Sequence, residues 1–204
     1  MFVDSQVISQ MERRYGQAKV LHWQWEARAS DLANIRASQK HGRAHDVTLF
    51  IFKGDKLALI RKHIMPPGVY RAPSGGLEPG EPFEDGARRE AREETGLDVA
   101  LKRYLLRINV RFYSGSDFVD WTSHVFEAEE TGGELRVVDT KEILENRYGT
   151  LDELDGPIRE ALLATGRRLL AYRVALHDAT IELIRESFTQ SEGSRSNEAS
   201  KGSR

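Results

Sequence analysis

Apolar residues recur along this chain with two periods, and the switches between them mark its elements. Leu21, Trp23 and Trp25 alternate with polar neighbours, which suits a half-buried strand. Nearly unbroken apolar runs at 46–52 (DVTLFIF) and 56–61 (KLALIR) predict two strands joined by a tight turn at Gly54-Asp55. Residues 101–112 and 121–128 predict another pair around the polar turn Ser114-Gly115-Ser116-Asp117. Strand is also expected at 134–138, after a turn at Thr131-Gly132-Gly133, and at 143–150. Helical spacing predicts helices at 5–14, 29–39, 157–165 and 167–188, with Gly166 separating the last two. The longest carries an apolar stripe that includes Leu169, Leu170, Tyr172, Val174, Ile181 and Ile184. Such a stripe either covers its own domain or meets a second copy, so a homodimer is one expectation. Strands interleaved with helices give the class α/β (α+β).

The pattern divides the chain into an extension (1–43), a core (44–165), a terminal helix (166–189) and a tail (190–204) too polar to order itself. A length of 204 residues suits one buried core with an appendage. A formal net charge of −2 gives no general attraction for nucleic acid or an anionic membrane, and neither partner is expected. The chain has no cysteine, which excludes disulfides, thiolate nucleophiles and thiolate zinc sites. No apolar run reaches membrane-spanning length, and MFVDSQVISQMERR lacks a secretory apolar core, so a cytoplasmic location is expected.

The chemistry concentrates in residues 75–97, GGLEPGEPFEDGARREAREETGL. Glu90, Glu93 and Glu94 stand at i, i+3 and i+4, one side of a helix that turns roughly 100° per residue. Their mutual repulsion, a few tenths of a kcal/mol per pair, asks for an offset. A hard divalent cation held by carboxylate oxygens, Mg²⁺ or Mn²⁺, is one answer. The competing reading is a solvated face laced with i,i+4 ion pairs. Pro82 fits the first helical position, Glu84 and Asp85 sit near the positive dipole end, and Gly96 can terminate the helix. Phe83, Ala87 and Ala91 form a narrow docking stripe. Gly86 costs about 1 kcal/mol inside a helix, and close packing against a sheet is the expected reason for it.

Gly75, Glu81, Arg89, Glu90, Ala91, Glu93, Glu94, Gly96 and Leu97 fill every fixed position of a spaced signature, and in this the chain resembles the Nudix hydrolases of MutT type. The resemblance implies the Nudix fold, a mixed β-sheet sandwiched between helices, here with an N-terminal extension and a long C-terminal helix. It implies metal-dependent hydrolysis of a phosphoanhydride in a nucleoside diphosphate linked to another group. Dinucleoside polyphosphates, nucleotide sugars and ADP-ribose are examples. Glu93 and Glu94 would be the principal ligands of Mg²⁺ or Mn²⁺, and Glu90 a further ligand or the group orienting the nucleophile. The backbone at Gly75 would approach metal and pyrophosphate, a task suited to a residue without Cβ. Glu81 and Arg89 would form a structural pair joining loop to helix. A general base often comes from a later loop, which points to Glu142 and next to Glu145.

Substrate contacts are less determined by the sequence. Arg61, Lys62 and Arg71 lie in the segment entering the signature and either contact phosphates or are ordinary surface charge. Glu78 is an accessory candidate, and Tyr113 falls where relatives acting on dinucleoside polyphosphates often carry a tyrosine. The lack of proline between Pro82 and Pro157 argues against the ADP-ribose subclass. Removal of an RNA cap finds no basic stripe with interleaved aromatics. The six histidines show no metal-ligand spacing and read as surface or satisfied core. The alternative function is a nucleotide-binding regulatory or interaction protein of the same fold. Regulatory relatives often lose carboxylates that are all present here.

Overall fold

In the computed structural model, which describes residues 3–39 and 42–201 with side chains as far as Ser187, a mixed sheet runs between two helical layers. The elements are α1 (Ser5–Tyr15), β1 (Lys19–Glu26), α2 (Ala29–Ser38), β2 (His45–Lys53), β3 (Lys56–Lys62), β4 (Ser74–Gly76) and α3 (Phe83–Thr95). They continue with β5 (Leu97–Ser114), β6 (Asp117–Gly133), β7 (Ile143–Gly149), α4 (Leu151–Asp155), α5 (Pro157–Ala164) and α6 (Arg168–Lys201). The strand order is β1-β5-β6-β2-β3-β7, with β4 paired to β2. β1 runs parallel to β5, and β2 parallel to β6; the other pairings are antiparallel.

β2 is nearly continuous in apolar residues because both of its faces are covered. Val47, Leu49 and Ile51 join one core with Met11 of α1 and Phe83, Ala87 and Ala91 of α3. Phe50 joins the other with Leu32 of α2, Leu154 of α4, Ile158 and Leu162 of α5, and the buried stripe of α6. In α6, Leu170, Tyr172, Val174, Leu176, Ile181 and Ile184 are all buried within their own chain, so packing inside one molecule uses this apolar face. The N-terminal extension is built into the same body: β1 forms the sheet edge, and Arg14 and Tyr15 both bond Glu84 on α3.

Several expectations are corrected. Residues 134–138 are not strand. Instead Arg136 N–H donates to Thr95 O and Asp139 N–H to Glu93 O, satisfying carbonyls at the end of α3. The residues predicted as a turn at 131–133 belong to β6. Pro82 is the residue before α3, not its first. Gly86 is explained by the loop and not by the sheet: a Cβ there would lie 2.6 Å from Glu81 Oε1 and 2.9 Å from Leu77 Cδ2. Helix α6 continues to Lys201, past the predicted start of the tail; side chains beyond Ser187 and all of residues 202–204 lie outside the described residues. Among the described residues no helix is long and apolar enough to cross a membrane.

Candidate active site

Helix α3 sets Glu90 and Glu94 against β4, where Glu90 meets Gly75 and Glu94 accepts from Ser74 N–H. Every backbone carbonyl of its last turn has a partner. Gly96 N–H donates to Arg92 O, Asp139 N–H to Glu93 O, the Asn146 side chain to Glu94 O, and Arg136 N–H to Thr95 O. Gly96 adopts φ +77°, the left-handed conformation that ends helices and favours glycine. The end bearing Glu90, Glu93 and Glu94 is therefore fixed from four directions.

Each carboxylate is met by a basic group. Arg89 lies at the centre: its guanidinium donates to Glu81 at 2.8 and 3.1 Å, to Gly76 O at 3.1 Å, to Glu90 at 2.7 Å and to Glu93 at 3.0 Å. The Glu81 hydrogen bond, followed by that of Glu90, raises the Arg89 pKa above its ordinary value. Burial would lift the Glu81 carboxyl, but its bonds from Arg89 and from Glu78 N–H hold it below the usual carboxylate range. Glu94 is buried; it accepts from Ser74 N–H at 2.7 Å and pairs with Lys62 at 3.1 Å and Arg71 at 3.4 Å. Glu90 lies against Gly75, where a Cβ would stand 1.6 Å from its Oε2. Burial pushes the Glu90 carboxyl up to about 7, against Arg89, with the Glu94 and Glu93 charges adding to the rise.

The repulsion that suggested a cation is thus offset within the fold by Arg89, Lys62 and Arg71. Among the described residues no three His, Asp or Glu side chains converge with the geometry of an ion site. The donor set nevertheless fits a hard divalent ion: three carboxylates and no softer ligand, beside a glycine whose missing Cβ leaves the Glu90 oxygens directly against the loop.

The other candidates separate. Glu142 is brought to the site by Lys62, whose ammonium stands 2.6 Å from Glu142 and 3.1 Å from Glu94. Glu145 is bound by Arg61 at 2.9 Å and by the Tyr70 hydroxyl; these two bonds hold its carboxyl down at about 2. Arg61 is therefore occupied by Glu145 and Met65 O, not turned to the signature loop. Arg71 is no surface charge: it is buried, donates to Ala72 O, Ser74 Oγ and Glu94, and burial draws its pKa down. Glu78 pairs with Arg43 at 2.7 Å. Tyr113 lies beside the β5–β6 turn opposite Phe118, and the structure does not bring it to the carboxylates. Among the histidines, His45 and His124 bond at 3.1 Å and Tyr104 reaches His124 at 2.5 Å, whereas buried His177 has no partner for either ring nitrogen among the described residues.

Sequence reasoning missed Arg43, whose guanidinium lies over Gly76, within 2.5 Å of where a Cβ would stand. It also missed the roles of Ser74 and Asn146, because a backbone donor and a side chain from β7 leave no local signature.

A family model described as a NUDIX domain matches residues 42–171. The chain is 34% identical over 115 residues to an NAD-capped RNA hydrolase NudC of Stutzerimonas stutzeri, covering 56% of this chain and 39% of that protein. It is 31% identical over 136 residues to NudC of Pseudomonas aeruginosa, covering 67% and 46%. The chain thus spans less than half the length of these relatives. A solved MutT NUDIX hydrolase from Burkholderia pseudomallei is 27% identical with a TM-score of 0.42, covering 53% of this chain and 84% of that one. A NUDIX-family hydrolase from Clostridium perfringens is 18% identical with a TM-score of 0.46, covering 70% and 98%.

Proposed function

The chain belongs to the Nudix family, and from that membership we propose a metal-dependent hydrolase that cleaves the phosphoanhydride of a nucleoside diphosphate linked to a second group. The observation that carries this reading is the fixed end of α3, where Glu90, Glu93 and Glu94 stand beside the Gly75 loop. Relatives named NAD-capped RNA hydrolases place a dinucleotide with an internal pyrophosphate first among substrates to try. The RNA beyond such a cap has less support here, given the net charge of −2.

Glu93 and Glu94, with Glu90 and the backbone at Gly75, would hold Mg²⁺ or Mn²⁺. Such an ion supplies charge neutralisation at phosphate oxygens and lowers the pKa of water. Around it, Arg89 orients two carboxylates while tying the helix to the loop through Glu81 and Gly76 O. Arg71 and Ser74 N–H fix Glu94. Glu142 is the group proposed to take the proton from water, being exposed and one lysine away from Glu94. Glu145 is a poor base because its bonds to Arg61 and Tyr70 favour the deprotonated form so strongly.

The test is a screen with Mg²⁺ and with Mn²⁺ against NAD⁺, ADP-ribose, dinucleoside polyphosphates, nucleotide sugars, coenzyme A and nucleoside triphosphates. Turnover of at least one is expected. Glu94→Gln should reduce it by more than about 100-fold, since even outer-shell partners of metal ligands are worth 10–100-fold. Unchanged melting temperature with near-normal activity in that variant would refute these roles.

A further inference from the structure

The sheet has two edges, and they are finished differently. At β7 the ladder to β3 shifts register between Arg61 and Lys62, and the strand carries Glu145, Asn146 and Arg147; a bulge and charges both blunt an edge. At the other edge, β1 pairs all eight of its residues with β5 without a shift. It contains neither proline nor glycine, and its formal charges, Lys19 and Glu26, stand only at its ends. Ala27 N–H donates to Tyr113 O at 2.8 Å, so by the alternation of a parallel ladder Lys19, Leu21, Trp23 and Trp25 turn their backbone to β5. Val20, His22, Gln24 and Glu26 then turn N–H and C=O outward, where no strand among the described residues pairs with them. We propose that a second copy of this chain pairs there, β1 antiparallel to β1, about a two-fold axis through Trp23. This goes beyond the hydrolase reading and stands independently of it.

The side chains of the strand select that register. Leu21, Trp23 and Trp25 are half-buried on the α6 face of β1. Both indoles stand edge-on to Tyr172, at 5.8 and 5.7 Å, and Trp25 Nε1 donates to Arg168 O at 3.0 Å, so α6 fixes them while leaving them partly exposed. A two-fold axis normal to the sheet keeps like faces together, and the two central choices for it are His22 and Trp23. Centring on Trp23 matches Val20 with Glu26 and His22 with Gln24 at the hydrogen-bonded positions. It sets Trp23 against Trp23 and Leu21 against Trp25 at the other positions, where opposed Cα atoms stand about 4.5 Å apart and aromatic pairs meet most closely. No like charges meet, since Lys19 falls opposite Ala27. Centring on His22 would oppose two imidazoles and leave Glu26 against Ala18, outside the strand. Seven paired residues run about 23 Å, and with side chains reaching roughly 10 Å on either face the two copies cover on the order of 1,000 Å². An area of that order is the threshold of a specific interface and corresponds to a roughly micromolar dimer.

Sedimentation velocity of the full chain, in EDTA and from about 1 to about 200 µM, reads the association without asking for catalysis. A reversible equilibrium between monomer and dimer is expected. Gln24→Pro removes an outward N–H and no bond to β5, so it should weaken the dimer about ten-fold or more at unchanged secondary structure. Trp23→Lys sets two ammonium groups against each other on the axis and should do the same; it serves if the proline variant does not fold. A monomer throughout the range would overturn the proposal. So would a dimer equally tight in the parent and the folded variants, which would place the contact on another face.

Discussion

A methyl group on Gly75 would meet the Glu90 carboxylate, the far end of a flexible side chain and not backbone. Gly75→Ala is therefore expected to displace Glu90 while sparing the fold. Activity should fall by about ten-fold or more with little change in melting temperature. A normal rate would show that the close approach has no catalytic use. His177 is the opposite case. It is buried, faces Phe50 edge-on at 5.8 Å, and burial drives its pKa down to about 3. An unsatisfied buried polar group costs about 1–3 kcal/mol, so His177→Leu should raise the melting temperature by a few degrees. A fall in melting temperature would mean the imidazole is satisfied in solution. At this scale the sequence set Glu90, Glu93 and Glu94 on one side of a helix and paired Glu81 with Arg89, and the structure bonds Arg89 to Glu81, Glu90 and Glu93, contacts whose spacing is local. The partners of Arg61 and Arg71, Glu145 and Glu94, were not legible, because a basic residue's partner is decided by which distant strand or helix folds over it.

At the level of elements, the pairing of β2 with β6 buries His45 and His124 together, with Tyr104 bonded to the latter and Phe83 edge-on at 5.1 Å. Burial lowers His45 to about 4, against the pull of Asp46; burial, then His45 and Arg107, takes His124 well below its ordinary value. Folding thus favours the neutral rings, and below about pH 6.5 the unfolded chain binds more protons than the folded one. Stability should be fully present above that pH and fall as acid is added toward pH 4. His45 alone would account for a loss on the order of 3 kcal/mol. Denaturant unfolding at pH 7 and pH 4.5, repeated in His124→Phe, checks this: the variant should lose less stability on acidification, and an identical loss would contradict the assignment. β2 and β3 were readable from their apolar runs and the turn between them. The stretch 134–138 was not, since its backbone donors go to α3 carbonyls, and alternation of side chains carries no record of where backbone bonds end.

For the molecule as a whole, two cores on opposite faces of one sheet hold α3 rigid on one side and close a cavity beside Asp46 on the other. The resemblance to a family implied the layered architecture, and periodicity marked most of the strands and helices that build it, because periodicity reports burial. The sequence could not foretell that the N-terminal extension would supply both a sheet edge and a cavity wall, which depends on β1 pairing with a strand 87 residues later in register (Lys19 with Leu106). The central claim is that the end of α3 holds a divalent cation although basic side chains already neutralise it. Titration of the full chain with Mn²⁺, read by electron paramagnetic resonance of the free ion, addresses it directly. The account predicts saturable binding that disappears when Glu90, Glu93 and Glu94 are all changed to Gln at unchanged secondary structure; equal binding by both proteins, or none by the parent, would contradict it.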